Sequence, residues 1–187
     1  MARPRSKVKA MAILEAASSC IAERGTSAST AMIAKQAGLS EGTLFRYFPN
    51  KEELINELYL YLKKRLHAYL SDGFSPCASL EERARFLWLS YISWGVKNPS
   101  YNITLNHLEI GHRISDELKL KAAEFLPKLG VDDVFVQNPV FTGLNRSYAD
   151  SVFQSLAEST IKFSMKEPEK SKEYKEAGFA VFWMLIK

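Results

Sequence analysis

The chain has 187 residues, 47% hydrophobic and 25% charged, a composition that excludes a disordered polypeptide and fits one large domain or a small domain joined to a larger one. Its formal charge of +4 is unevenly placed: residues 1–50 hold seven Lys and Arg against three Asp and Glu, whereas the remaining residues hold eighteen of each. The longest apolar run, Phe179 to Ile186, falls well short of the roughly 20 residues of a spanning helix, so no membrane partner is expected.

Two cysteines, Cys20 and Cys77, are too few for a disulfide framework and fit no close-spaced metal pattern, which points to a reducing cytoplasm. A chain of this length buries enough surface to fold without a disulfide or a structural metal, and no cofactor is expected. The basic start followed by an apolar stretch ending at Cys20 has the outline of a lipoprotein signal, but Glu15 in its middle argues against export.

Helical periodicity dominates. The spacing of Ala10, Ile13, Ala17, Cys20 and Ile21 predicts a first helix over Lys7 to Arg24, stopped by Gly25. Ser29 or Thr30 caps a second helix that ends at Gly38, and Ser40 caps a short third helix that halts before Pro49. Asn50 with Glu53 makes a capping box for a long fourth helix from Lys51 to about Leu70. Further helices are expected at about Leu80 to Val96, Pro99 to Gly111, Ser115 to Leu126, Ser147 to Lys166 and Pro168 to Ile186, with a long loop over Gly130 to Leu144. The fold class is therefore all-α, with about nine helices.

The informative stretch runs from Thr30 to Glu53: a short helix, the turn Gly38, Leu39, Ser40, and a second short helix opening Glu41, Gly42, Thr43. That is the helix-turn-helix layout, whose second helix reads base edges in the major groove. Gly38 supplies the positive φ of the turn, and Gly42 lets the backbone come close to DNA. Thr43, Arg46 and Tyr47 fall on the side away from the core-facing Leu44 and Phe48. An ordinary helical hairpin is the alternative, and the local excess of cations favours DNA.

Ile33, Ala34, Ala37, Gly38, Leu39, Ser40, Gly42, Thr43, Leu44, Phe45, Tyr47, Phe48, Lys51, Glu53 and Leu54 resemble the signature of TetR-type transcriptional repressors, a match spanning roughly residues 8 to 55. The resemblance implies an N-terminal three-helix DNA-binding domain at residues 1–50 and a ligand-binding and dimerisation domain at residues 51–187. The start Met1 to Pro4, the block Glu41 to Phe48, the run Leu54 to Leu62, Ser90 to Gly95 and Leu156 to Glu158 look most like the multidrug-responsive members of that family. Residues 100–147 match them poorly.

By that resemblance Lys51 corresponds to a phosphate-contacting Lys at the positive end of the fourth helix. Ser40 and Thr43 suit phosphate oxygens, Thr30 joins them at the start of the second helix, and Arg46 suits a guanine edge or a phosphate. Two positions depart from the family pattern: Phe45 stands where Tyr is common and Glu41 where Lys is frequent. Glu41 either accepts from a cytosine amino group or complements the helix dipole. The spacing from Gly25 to Ile33 is one residue shorter than the usual family loop. Arg3 and Arg5 form a basic arm for phosphate or the minor groove, or else a solvated terminus.

For the second half, Trp88 and Tyr91 are i, i+3 and share a helix face, as do Tyr59, Leu62 and Lys63. Each aromatic taken alone is ordinary core, but several carrying polar handles favour a cavity if they converge. The resemblance implies an effector pocket of Tyr59, Lys63, Trp88, Tyr91, Asp150 and Phe153, suited to a small hydrophobic or cationic aromatic compound stacked between Phe153 and Trp88 with Asp150 as its anionic partner. Lys63 suits an anionic amphiphile instead. The broad apolar faces of the last two helices imply a homodimer, hence a palindromic operator in double-stranded DNA, and a repressor released by its effector, controlling a multidrug efflux regulator or pump. Response to a specific metabolite, or activation, is the alternative.

An enzyme is not expected, because His67, His107 and His112 are scattered and no phosphate-binding Gly loop, nucleophile elbow or carboxylate pair is present. Glu109 and His112, i, i+3, read as a surface pair. A basic membrane-surface protein is the third reading, testable by vesicle binding.

Overall fold

The computed structural model describes residues 6–75, 78–110, 113–124 and 146–186, with only the backbone at 110, 146, 147, 150 and 186. The expected loop at Gly130 to Leu144 and the arm residues Arg3 and Arg5 lie outside the described residues. Nine α-helices occur among the described residues: α1 (Lys7–Arg24), α2 (Thr30–Gln36), α3 (Glu41–Tyr47), α4 (Lys51–Ser71), α5 (Leu80–Lys97), α6 (Pro99–Ile110), α7 (Asp116–Ala123), α8 (Arg146–Lys166) and α9 (Ser171–Ile186).

The caps explain the boundaries. Gly25, at φ +62°, ends α1 with its N–H on the Ile21 carbonyl. Ser29, Ser40 and Ser115 each accept a backbone N–H from the first turn of α2, α3 and α7. At α4 the Asn50 carbonyl oxygen accepts from Glu53 N at 2.8 Å, while the Glu53 carboxylate takes the Asn50 side-chain amide at 3.4 Å. The fully reciprocal box sits instead at α5, where Ser79 and Glu82 exchange hydrogen bonds from Glu82 N to Ser79 Oγ (3.3 Å) and from Ser79 N to Glu82 Oε2 (2.8 Å). Pro168 opens a separate 3-10 turn, Pro168–Lys170, and the last α-helix begins only at Ser171.

The chain divides into two compact units: Met1–Arg65 with Asn98–Phe125, and Leu66–Lys97 with Leu126–Lys187. This division differs from the expected cut at residue 50, because α6 and α7 group with the first helices. The core of the first unit is built from Ile13, Ala17 and Ile21 of α1, Ile33 of α2, Leu44 of α3, Leu54, Leu58 and Leu62 of α4 and Leu108 of α6, all essentially without solvent exposure.

A polar seam also joins α1 to α6. Thr104 donates to the Ser18 carbonyl at 2.8 Å and lies 3.2 Å from the Ser18 hydroxyl, both buried. One helical turn away, Tyr101 donates to Glu15. At the far end the His107 ring lies against Gly25, 3.8 Å from where a Cβ would stand. Satisfied polar contacts of this kind fix relative register more strictly than apolar packing alone.

The second unit is organised around Trp88. The cluster Ala84, Trp88, Ile92, Ala157, Ile161, Phe179 and Phe182 joins α5, α8 and α9. Gly178 is the position that allows this approach, since a Cβ there would stand 2.6 Å from Trp88 Cζ2 and 2.7 Å from Thr160 Oγ1.

Candidate nucleic-acid interface and effector region

The α2–turn–α3 segment has the expected geometry. Ala37 ends α2 and Gly38 follows at φ +68°, with Gly38 N on the Lys35 carbonyl (3.1 Å) and Leu39 N on the Ala34 carbonyl (2.9 Å). This pair of bonds is the Schellman closure, which needs a left-handed residue and so favours Gly. Ser40 then caps α3, and its hydroxyl lies 2.9 Å from that of Thr43.

Leu44 is fully buried and Phe48 nearly so, whereas Glu41, Gly42, Phe45 and Arg46 are exposed. A Cβ built on Gly42 meets nothing within 4 Å, so the first turn of α3 presents bare backbone to an approaching ligand. Thr43 and Tyr47 are half-buried.

Several candidate residues also hold the unit together. Thr30, at the start of α2, donates to Glu41 at the start of α3 at 2.5 Å. Glu41 thus ties the two helices, a role that its place in the sequence did not suggest. The Tyr47 hydroxyl accepts from Ser6 N at 3.1 Å, which pins the start of α1 to the last turn of α3. Lys51 is half-buried and donates to the Thr26 carbonyl at 2.8 Å, leaving two ammonium protons for other acceptors.

The expected effector residues fall in both units. In the first unit Tyr59 is 2% exposed and donates to Glu109 at 3.2 Å. The Lys63 ammonium is 2.7 Å from the same carboxylate and 5.4 Å from the Tyr59 ring. Burial first, and then the Glu109 charge, push the Tyr59 phenol well above its ordinary value, so it is a fixed hydrogen-bond donor. Glu109 is the residue that sequence reasoning missed: it is a half-buried partner of two candidate residues, while His112, with which a surface pair was expected, lies outside the described residues.

In the second unit Trp88 has no exposed surface and its indole N–H donates to the Lys175 carbonyl at 2.9 Å. It stacks on Phe182 at 5.3 Å and meets Phe153 edge-on at 5.8 Å, while Tyr91 meets Phe153 at 5.4 Å. Trp88 is thus packed and satisfied; Tyr91 and Phe153 are half-buried and supply the reachable edge of the cluster. Asp150 lies on α8, and its side chain is outside the described residues. Phe163, Met165, Val181 and Met184 of α8 and α9 are exposed. An apolar depression of about 220 Å³ runs between these two helices, lined among others by Leu156, Phe163, Tyr174 and Val181.

Residues 13–58 match the family model of bacterial regulatory proteins, tetR family. Over 122 residues the chain is 43% identical to the fatty acid metabolism regulator protein of Bacillus subtilis, covering 62% of this chain and 63% of that one. It spans about half the length of other curated relatives it matches. A solved structure assigned to the tetR family of transcription regulators, from Shewanella sp. PV-4, superposes with a TM-score of 0.76 at 24% identity, covering 96% of this chain and 97% of that one. The transcriptional regulator FadR of Bacillus subtilis in complex with stearoyl-CoA superposes with a TM-score of 0.61 at 22% identity, covering 95% and 97%. Residues 13–58 therefore match the tetR family of bacterial regulatory proteins, on a chain whose described residues adopt the all-helical fold of these solved structures.

Proposed function

We propose that the chain is a ligand-responsive transcriptional repressor that binds a palindromic operator as a homodimer through α8 and α9. The observation that carries the DNA reading is the α2–turn–α3 segment, with Gly38 in the left-handed region and the exposed face of Glu41, Gly42, Phe45 and Arg46 on α3. Arg46 reads a base edge or phosphate, Ser40, Thr43 and Lys51 hold phosphates, and Arg3 and Arg5 extend the contact as an arm. The apolar side chains left uncovered on α8 and α9 support the dimer, since a four-helix interface between two copies would bury them. The operator-bound form works in the cytoplasm. Selecting bound fragments from the source genome and footprinting them tests the reading: protection of two symmetric half-sites is expected, and protection without dyad symmetry contradicts it.

The effector reading follows from the resemblance to the multidrug-responsive repressor RamR. A flat hydrophobic or cationic aromatic compound enters beside Phe153 and Tyr91 and displaces part of the Trp88 stack, and the regulated gene encodes an efflux regulator or pump. A second reading, a long-chain acyl metabolite, is favoured by the 43% identity to a fatty acid metabolism regulator. In either case α4 carries Lys51 at its first residue and Tyr59 and Lys63 in its interior, and is the element whose tilt would couple effector to DNA. Linkage then requires operator DNA to weaken effector affinity by the same factor that effector weakens operator affinity. Titrating rhodamine 6G and stearoyl-CoA with and without operator separates the two readings.

A further inference from the structure

We propose that the cleft beside the first turn of α4 is a binding site for a phosphate-type anion, with Arg113 as its principal donor. The cleft measures about 440 Å³ and is lined by Thr26, Lys51, Glu52, Ile55 and Arg113, all of the first unit. It is built from the 3-10 turn Gly25–Ser27 after α1, the start of α4, and Arg113, ahead of α7.

Its wall is fixed. Lys51 is clamped to the Thr26 carbonyl at 2.8 Å and keeps two free ammonium protons. Arg113 is exposed and makes no ion pair among the described residues, so its planar fork of five donors is available. Among the described residues that line it, Glu52 is the one carboxylate against two cations, and the positive end of the 21-residue α4 adds to the field. A phosphate group of one or two charges is therefore attracted. Ile55, nearly buried, gives the cleft an apolar floor, and at about 30 Å³ per water the volume holds a phosphate with part of a carbon skeleton.

The phosphate has two possible sources, the backbone of bound DNA or a small phosphorylated molecule. The proposal stands apart from the regulator reading, because one arm of its test needs no DNA. In that arm inorganic phosphate is titrated into the full-length protein and amide shifts are followed by NMR. A saturable response confined to Thr26, Lys51, Ile55 and Arg113 is expected, with affinity about tenfold weaker in Arg113→Ala, the loss of one charge-assisted pair. Lys121→Ala, an exposed cation on α7, should leave it unchanged. In the second arm the salt dependence of duplex binding is measured. A slope lower by about one in Arg113→Ala assigns the phosphate to DNA, and an unchanged slope with the phosphate response lost assigns it to a small molecule. The proposal is overturned if Arg113→Ala alters neither phosphate response nor salt slope, or if Lys121→Ala alters both equally. Duplex binding by the unaltered protein, read in the same buffer, reports on the regulator reading separately.

Discussion

The Glu15 carboxylate of α1 accepts the hydroxyl proton of Tyr101 of α6, whose oxygen lies 2.7 and 2.9 Å from the two carboxylate oxygens. Tyr61 of α4 adds a second donor, and the Arg65 guanidinium lies 5.2 Å from the Tyr101 ring and donates to the Tyr61 hydroxyl at 3.1 Å. A charge in the middle of an otherwise apolar helix face is thus satisfied by α4 and α6, and it helps make α6 part of the first compact unit. Any movement of α6 must carry α1 with it or break this cluster.

The cluster predicts a pH dependence. Burial, and then the hydrogen bond to Glu15, push the Tyr101 phenol up to about 12 from its ordinary value near 10. The folded protein holds that proton more tightly than the unfolded chain, so the contribution is fully present below about pH 10 and is lost as pH rises towards 12. Urea midpoints of the unaltered protein should fall more steeply across this window than those of Tyr101→Phe. Parallel curves would show that Tyr101 contributes nothing there. At neutral pH the same substitution should cost about 1.5–3 kcal/mol, the range for a hydrogen bond to a charged group.

Gly178→Ala should destabilise the protein by about 1–3 kcal/mol through overpacking against Trp88 and Thr160. The sign is informative, because the same change at an open helical site stabilises by up to about 1 kcal/mol. Calorimetry reads the effect, and a shift in tryptophan emission should accompany it as the Trp88 ring is displaced. A stabilised variant with unchanged emission would contradict the packing.

Gly38→Ala places a side chain at φ +68° with nothing within 4 Å to hinder it, so the cost is conformational alone, about 1 kcal/mol. Gly38→Asn should recover part of it, since Asn tolerates the left-handed region. Equal losses for Ala and Asn would point to a steric cause, against the open space around Gly38.

Arg46→Ala and Lys51→Ala should separate cleanly. Arg46 is exposed and makes no side-chain hydrogen bond or ion pair among the described residues, so its loss should leave stability unchanged and, if it makes a bidentate base contact, relax preference at one base position by roughly 1–3 kcal/mol. Lys51 also clamps Thr26, so Lys51→Ala should lower stability by about 0.5–1.5 kcal/mol and weaken binding to all sequences alike. Competition between operator and scrambled duplexes, with thermal denaturation, tests both.

The parts of this account that were legible in sequence are those set by local chemistry. The bounds of α1 follow from apolar spacing and the Gly25 stop, and those of α2 and α3 from Ser29, Gly38 and Ser40. What escaped depends on contacts distant in sequence. Glu109 meets Tyr59 and Lys63 from about fifty residues away, and nothing in the pattern of α6 distinguishes it from a surface acid. Thr30 and Glu41 are both ordinary helix-start residues until the fold sets them 2.5 Å apart. The uneven charge about residue 50 gave no sign that α6 joins α1 in one compact unit, because the joining residues Ser18, Thr104, Glu15 and Tyr101 carry no local signal of pairing. Trp88 shows the limit of counting aromatics: its polar handle is satisfied by a backbone carbonyl on α9, a partner that no spacing rule identifies.

The central claim is sequence-specific recognition of a dyad by the α3 face, and its most direct test is the affinity for a selected palindromic duplex against a scrambled one, by fluorescence anisotropy across a salt series. The account predicts tighter binding to the palindrome by about 10³-fold or more, two protein chains per duplex, half-sites about one helical turn apart, and a steep fall of both affinities with salt. Equal affinity for the two duplexes at every salt concentration would contradict it.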